Sequence, residues 1–199
     1  MPPPRTYKSP LKGYENAPTL PTEKAEDGKS LLNIQTGVLS KAYDEFPEPL
    51  DNGPRGAFDI HIYHLPNHPT QAQYAAELHQ RIRREFPELR IYTFWTKPVG
   101  PHPIAMFEVN IFTPAQFGAF VGWLAIWRGP LSVLIHPNTT EPTLKKSENK
   151  EGGEGGGEQG EGQKMSEAEK EARNHTERAI WMGEKVVLNT DLFWEVMDH

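Results

Sequence analysis

The residues with the most chemical capacity in this chain sit in one heptapeptide, Phe58-Asp59-Ile60-His61-Ile62-Tyr63-His64. Apolar and polar residues alternate there at period two, the pattern of a half-buried strand. Phe58, Ile60 and Ile62 are expected to face a core, which leaves Asp59, His61 and Tyr63 on the opposite side. An ordinary wet strand face carries Thr, Ser or Lys. A carboxylate, an imidazole and a phenol can instead ligate a metal or move protons. Three further residues stand in suggestive settings: His102 in a loop stiffened by Gly100, Pro101 and Pro103, Glu108 in an alternating run, and His136 in Leu134-Ile135-His136-Pro137.

The elements that would position these groups follow from periodicity and punctuation. A first strand at 57–64 ends at Leu65-Pro66-Asn67-His68-Pro69. A helix from Thr70 to Phe86 follows, with Thr70 and Gln73 as a capping box and Ala75, Leu78, Ile82 and Phe86 as its apolar stripe. A strand over Arg90–Trp95, the His102 loop and a strand over Ala105–Phe112 come next. In the last of these, Phe107, Val109 and Ile111 oppose Met106, Glu108 and Asn110. Thr113-Pro114-Ala115-Gln116 opens a second helix. Its core side is read as Phe117, Phe120, Val121, Leu124 and Trp127, with Trp123 and Ile126 elsewhere, free for a second subunit. A fourth strand, Leu131–Ile135, a short strand at Lys185–Leu188 and an apolar segment at Leu192–Met197 complete the list.

Strand, helix, strand, strand, helix, strand is the α+β, ferredoxin-like βαββαβ order: an antiparallel sheet arranged 4-1-3-2 with both helices on one face. Residues 1–55, rich in Pro, Lys, Glu and Gly, read as a largely disordered arm, with Leu31–Val38 able to dock as a short strand or turn. Residues 56–199 form a single domain with a mobile insertion at 141–173, where 151–162 hold only Gly, Glu and one Gln.

In the 4-1-3-2 order the first and third strands are central neighbours. Asp59, His61, Tyr63, Glu108 and Asn110 then share the helix-free face, and His136 leaves the adjacent fourth strand. Two histidines and a carboxylate within reach of one another are the ligand set of a facial triad holding non-haem Fe(II). Taken singly, each residue has a plainer reading. A strand histidine can simply be hydrogen-bonded, Glu108 can be a solvated carboxylate, and His102 and His136 precede prolines that mark turns. His64, His68, His79 and His199 carry no pattern and are read as surface residues.

Composition removes several classes. With no cysteine among 199 residues, thiolate metal sites, disulfides and Cys nucleophiles are excluded. A net charge of -6 argues against nucleic acid or an anionic membrane as a partner held by bulk electrostatics. With no long apolar run and no secretory pattern at Met1, a cytoplasmic protein with no membrane association is expected. A non-catalytic ferredoxin-like ligand- or nucleic-acid-binding module is the competing class. The charge and the lack of an aromatic RNA-binding run weigh against it.

Four motifs in order, Asp59-x-His61-x-Tyr63, Gly100-Pro101-His102-Pro103 with Met106-Phe107-Glu108-Val109, Leu134-Ile135-His136-Pro137-Asn138-Thr139, and His175-Thr176 with Ala179-x-Trp181-Met182-Gly183, resemble the DOPA 4,5-dioxygenase family. The resemblance covers about 57–138 and 174–190. It implies a homodimeric extradiol dioxygenase that opens a catechol such as L-DOPA with O₂ at non-haem Fe(II), by 4,5-cleavage and also 2,3. It further implies His61, His136 and Glu108 as ligands, with His175 as the alternative to Glu108. His175 or His102 would move protons, and Tyr63 would bond a substrate oxygen. Relatives with His-x-His in place of Asp59-x-His61 imply that Asp59 supports a ligand instead of being one.

Overall fold

In a computed structural model the described residues are Tyr7, 9–140 and 165–197, apart from the side chains of 196 and 197. His199 and residues 141–164 of the expected insertion lie outside them. The chain divides into two compact units, Met1–Leu39 and Ser40–His199. The first is built of turns, with Lys24 bridged to Leu31.

The second unit holds the sheet: β1 (Phe58–Tyr63), β2 (Arg90–Ile91), β3 (Met106–Ile111), β4 (Val133–Pro137) and β5 (Ile180–Met182). All pairs are antiparallel, in the order β2-β3-β1-β4-β5. The first four strands reproduce the expected ferredoxin-like order, and β5 extends the sheet beyond β4. Helices α1 (Pro69–Glu85) and α2 (Pro114–Trp127) pack on one face. Ala75, Leu78 and Ile82 from α1, and Phe120 and Leu124 from α2, close over Ile60, Ile62, Phe107, Val109 and Ile135. Each large aliphatic or aromatic side chain removed from water there is worth about 1.5–3 kcal/mol. The alternation of β1 and β3 is therefore what orients the site. It commits one set of side chains to the helices and turns the other set away.

Several expectations need correction. The α1 cap is His68, whose Nδ1 accepts from the Gln71 N–H at 3.3 Å; Pro69 starts the helix and leaves Thr70 inside it. The second strand is short, since Tyr92 and Trp95 donate their N–H groups to Glu108 and Met106 along an irregular edge. Trp127 is 42% exposed beneath the Arg81 guanidinium, 3.8 Å from its ring, while Trp123 packs on the core instead. The late strand is Ile180–Met182, in register with β4, and not Lys185–Leu188. His64 is buried, with Nε2 bonded to the Trp95 carbonyl.

Two stretches expected to lack structure carry it. Residues 40–55 belong to the second unit: Phe46 packs on the core, and Leu50 bridges Thr139. Ser166 caps helix α3 (Glu167–Thr176) by a reciprocal box with Glu169. A last helix, α4 (Leu192–Met197), follows.

Candidate functional site

Register places the polar face of β1 residue by residue. Across β3, Asp59 faces Asn110 and His61 faces Glu108; across β4, Asp59 faces His136. The loop before β3 brings in His102, whose backbone bridges Val99. Helix α3 brings in His175 and is tied to the end of β4 by the Asn174 amide, which donates to Thr139 Oγ1 at 3.2 Å. Asp59, His61, Tyr63, His102, His136 and His175 are all buried, and Glu108 nearly so.

The four imidazoles form one cluster. His61 Nε2 lies 3.0 Å from His136 Nε2, and ring centroids are 4.1 Å apart for His61–His102 and 3.8 Å for His136–His175. Their partners limit which nitrogen carries a proton. His175 Nδ1 lies 2.9 Å from the Glu171 carbonyl and His136 Nδ1 lies 3.2 Å from the Pro137 carbonyl. A carbonyl only accepts, so both Nδ1 atoms are protonated and both Nε2 atoms present lone pairs. His102 differs. Its Nδ1 meets the Tyr63 hydroxyl at 2.7 Å, a partner able to donate or accept. Either tautomer is satisfied there.

Burial keeps these rings neutral. Desolvation lowers His102 and His136 to about 3 and His175 to about 2, with the neighbouring imidazoles adding to the effect, and it takes His61 well below its ordinary value. The same desolvation raises Glu108, Asp59, Glu171 and Tyr63. Neutral imidazoles are the form that binds metals.

The donor set fits a metal ion. Potential ligand atoms of His61, His102 and His175 lie within 4.8 Å of one another, as do those of Asp59, His61 and His136. His61 Nδ1 is buried with no hydrogen-bond partner, 3.9 Å from Glu108 Oε2. Glu108 thus stands at the ring nitrogen of His61 that is not the one meeting His136. Asp59 is already committed. Its Oδ2 accepts from Arg55 at 2.6 Å, and its Oδ1 accepts from Asn110 at 2.7 Å and Asn138 at 3.1 Å. That arrangement suits a carboxylate that supports its neighbours more than one with lone pairs to spare.

Over the cluster lies a cavity of about 710 Å³, walled by His61, His102, His175, Glu108, Trp95 and Phe193 among others. Tyr63 lies to one side, 5.8 Å from Trp181 and nearly parallel to it. Arg55 and Glu171 also line the cavity and were missed by sequence reading. They stand in segments without apolar periodicity, so only the Ser166-x-x-Glu169 box could have announced α3.

An antiparallel open sheet whose helix-free face holds a buried, neutral histidine cluster beneath a cavity of ligand size gives a ferredoxin-like fold with donors that could hold a metal ion. A family model described as the Dopa 4,5-dioxygenase family matches residues 58–192. The chain belongs to that family, which places it among dioxygenases and implies O₂ as a co-substrate. An uncharacterized 21.2 kDa protein of Botryotinia fuckeliana is 56% identical over 94% of this chain and 90% of its own length. A DOPA 4,5-dioxygenase of Amanita muscaria is 34% identical over 41% of this chain and 38% of that enzyme. Among solved structures, a Nostoc punctiforme protein provisionally titled a dioxygenase aligns with a TM-score of 0.48 at 22% identity, covering 73% of this chain and 97% of its own. No helix among the described residues is long and apolar enough to cross a membrane.

Proposed function

We propose that the protein is an extradiol dioxygenase that opens the ring of a small catechol such as L-DOPA beside its diol, at the 4,5 bond and also at 2,3. The observation that carries this reading is the pair of Nε2 lone pairs fixed on His136 and His175 by backbone carbonyls, next to His61 and under a ring-sized cavity. His61, common to both groups of closely spaced donors, would hold Fe(II) together with His136 from one group and His175 from the other. Glu108 would orient His61 from its Nδ1 side, a supporting role in place of the ligand role expected from sequence. Bound there, Fe(II) supplies one centre at which the catechol oxygens and O₂ can meet.

The remaining chemistry belongs to the protein's own side chains. His102 is the residue best suited to move protons. It is neutral at pH 7, walls the cavity, and exchanges tautomers against Tyr63 without losing its hydrogen bond. Negative charge developing on a catechol in so dry a site stabilises an imidazolium beside it, so the phenolic proton can pass to His102 Nε2. Tyr63, at 1% exposure, then acts by positioning His102 and not by touching substrate as expected. Trp95 and Phe193 offer flat apolar walls for the ring and exclude water from it.

The same reading takes the chain to be a cytoplasmic homodimer. Its support is Ile126 of α2, 74% exposed, which sedimentation would test. The decisive experiment is anaerobic Fe(II) loading, followed by L-DOPA and air while the visible spectrum and O₂ uptake are recorded. The expected result is a new yellow product with one O₂ consumed per catechol, absent in His61→Ala and His136→Ala. Retention of iron and turnover by both variants would overturn the ligand assignment. Iron binding without O₂ uptake on any catechol would overturn the reaction.

A further inference from the structure

Arg55 lies on the wall of the cavity with its side chain 59% exposed, yet its head is firmly held. Nη2 donates to Asp59 Oδ2 at 2.6 Å. Asp59 is completely buried and is itself fixed through Oδ1 by the amides of Asn110 and Asn138. A buried, doubly braced carboxylate thus anchors one corner of an arginine that opens to solvent. The other N–H groups of that guanidinium have no hydrogen-bond partner among the described residues. Lys170 is a second cation on the wall, but its Nζ lies 2.6 Å from Glu167. Arg55 is the more accessible of the two, its side chain 59% exposed against 16% for Lys170, and it alone presents a planar fork.

Position adds to this. The Asp59 Oδ2 that holds Arg55 is also 3.9 Å from His136 Nε2. One carboxylate group separates the guanidinium from the imidazole cluster. The planar fork of arginine matches a carboxylate in two parallel hydrogen bonds, and it keeps its charge at any working pH.

We propose that Arg55 determines substrate specificity by gripping a carboxylate carried on the catechol, either directly on the ring or through a short arm, while the diol lies at the histidines. The inference rests on the catechol reading above and deepens it. It makes the preferred substrate an acid and makes the distance from diol to carboxylate the quantity selected. A simple amine in the same place would meet the guanidinium as a like charge.

The test is calorimetric binding to the anaerobic, Fe(II)-loaded full chain, where no turnover occurs. The ligands are 3,4-dihydroxybenzoate, 3,4-dihydroxyphenylacetate, uncharged 4-methylcatechol and cationic dopamine. In the unaltered protein at least one acid should bind about tenfold to a hundredfold more tightly than 4-methylcatechol, with dopamine weakest. Truncating Arg55 would strand Asp59, so the informative variant is Arg55→Gln, whose side-chain amide keeps a donor for Asp59 Oδ2 but lacks the charged fork. That variant should bind 4-methylcatechol within a few-fold of the original while losing its preference for the acids; Arg55→Lys should keep part of it. Equal affinity of the unaltered protein for acid, neutral and amine ligands would overturn the proposal, whatever the variants do. So would an acid preference that survives in Arg55→Gln. Opening the same samples to air separates the two readings: an acid preference without O₂ uptake supports the anion grip and retires catechol cleavage, whereas O₂ uptake without the preference does the reverse.

Discussion

Ile60 and Ile62 on one face of β1, and His61 and Tyr63 on the other, are all at most 3% exposed, but the two faces are dry for opposite reasons. The helix face is closed by α1 and α2 with aliphatic and aromatic side chains, and each contact there adds stability in proportion to area. The other face buries imidazoles and carboxylates whose charged forms are disfavoured. His136, His175 and Asp59 are held there by backbone carbonyls and amides, while His61 Nδ1 and Asn110 Oδ1 are left without a partner, so the face is buried at a net cost in desolvation. Strand alternation therefore divides labour within six residues. The odd set, Asp59, His61 and Tyr63, serves the site; the even set holds the sheet that keeps the site in place.

The largest effect should come from the helix face. Phe107→Ala opens a cavity in the main core and should lower unfolding free energy by about 3–5 kcal/mol. Glu108→Gln, one residue along, should change it by less than about 1 kcal/mol, because a neutral amide suits the dry side at least as well as a carboxylate whose protonation burial already favours. Urea titration of both variants measures the contrast. Equal losses would mean that both faces stabilise alike.

Acid should expose the other face next. In the metal-free chain, His61, His102, His136 and His175 have folded pKa values below the ordinary histidine value near 6.5. Between roughly pH 6.5 and 3 the unfolded chain binds more protons there, so stability falls as pH falls, by up to about 1.4 kcal/mol per pH unit for each histidine fully held neutral. Asp59, Glu108 and Glu171 are raised and act with the opposite sign, offsetting part of the loss. Melting temperature should therefore drop as pH falls from about 6.5 to 5. A flat profile across that interval would show that the imidazoles are not kept neutral.

Tyr63→Phe sharpens the division within the site face itself. It removes the hydroxyl 2.7 Å from His102 and leaves the ring stacked by Trp181. Turnover should fall about tenfold to a hundredfold, with iron content unchanged. Loss of iron in this variant would move His102 from proton transfer to metal binding.

Much of this arrangement was legible because strands β1 and β3 announce their faces by period two. The sheet order follows from the sequence of elements, and it puts His61 beside His136. The sites of failure are equally physical. An edge strand such as β2 has little pattern to show, since only two of its residues pair regularly. Asp51 and Arg55 come from a stretch with no periodicity, made part of the cavity by contacts such as the Asp51 N–H to the Asn138 carbonyl. Helix α3 was hidden by its neighbours. Its Glu and Lys residues read as more of the Gly/Glu run, although Ser166 and Glu169 stand at capping-box spacing.

That cap supplies the smallest and most local prediction. The Ser166 hydroxyl accepts from the Glu169 N–H at 3.1 Å, while the Glu169 carboxylate accepts from the Ser166 N–H at 2.7 Å. Ser166→Ala should remove about 1 kcal/mol from α3. Helices α1 and α2 pack on the Ile60 and Ile62 face of β1, so their amide exchange should be unaffected at short times. Exchange in α3 should accelerate about fivefold, following that free energy. His175 rides on the same helix, so iron should dissociate faster from this variant than from the unaltered chain. Faster exchange with an unchanged iron off-rate would remove His175 from the ligand set and return that place to His102 or Glu108.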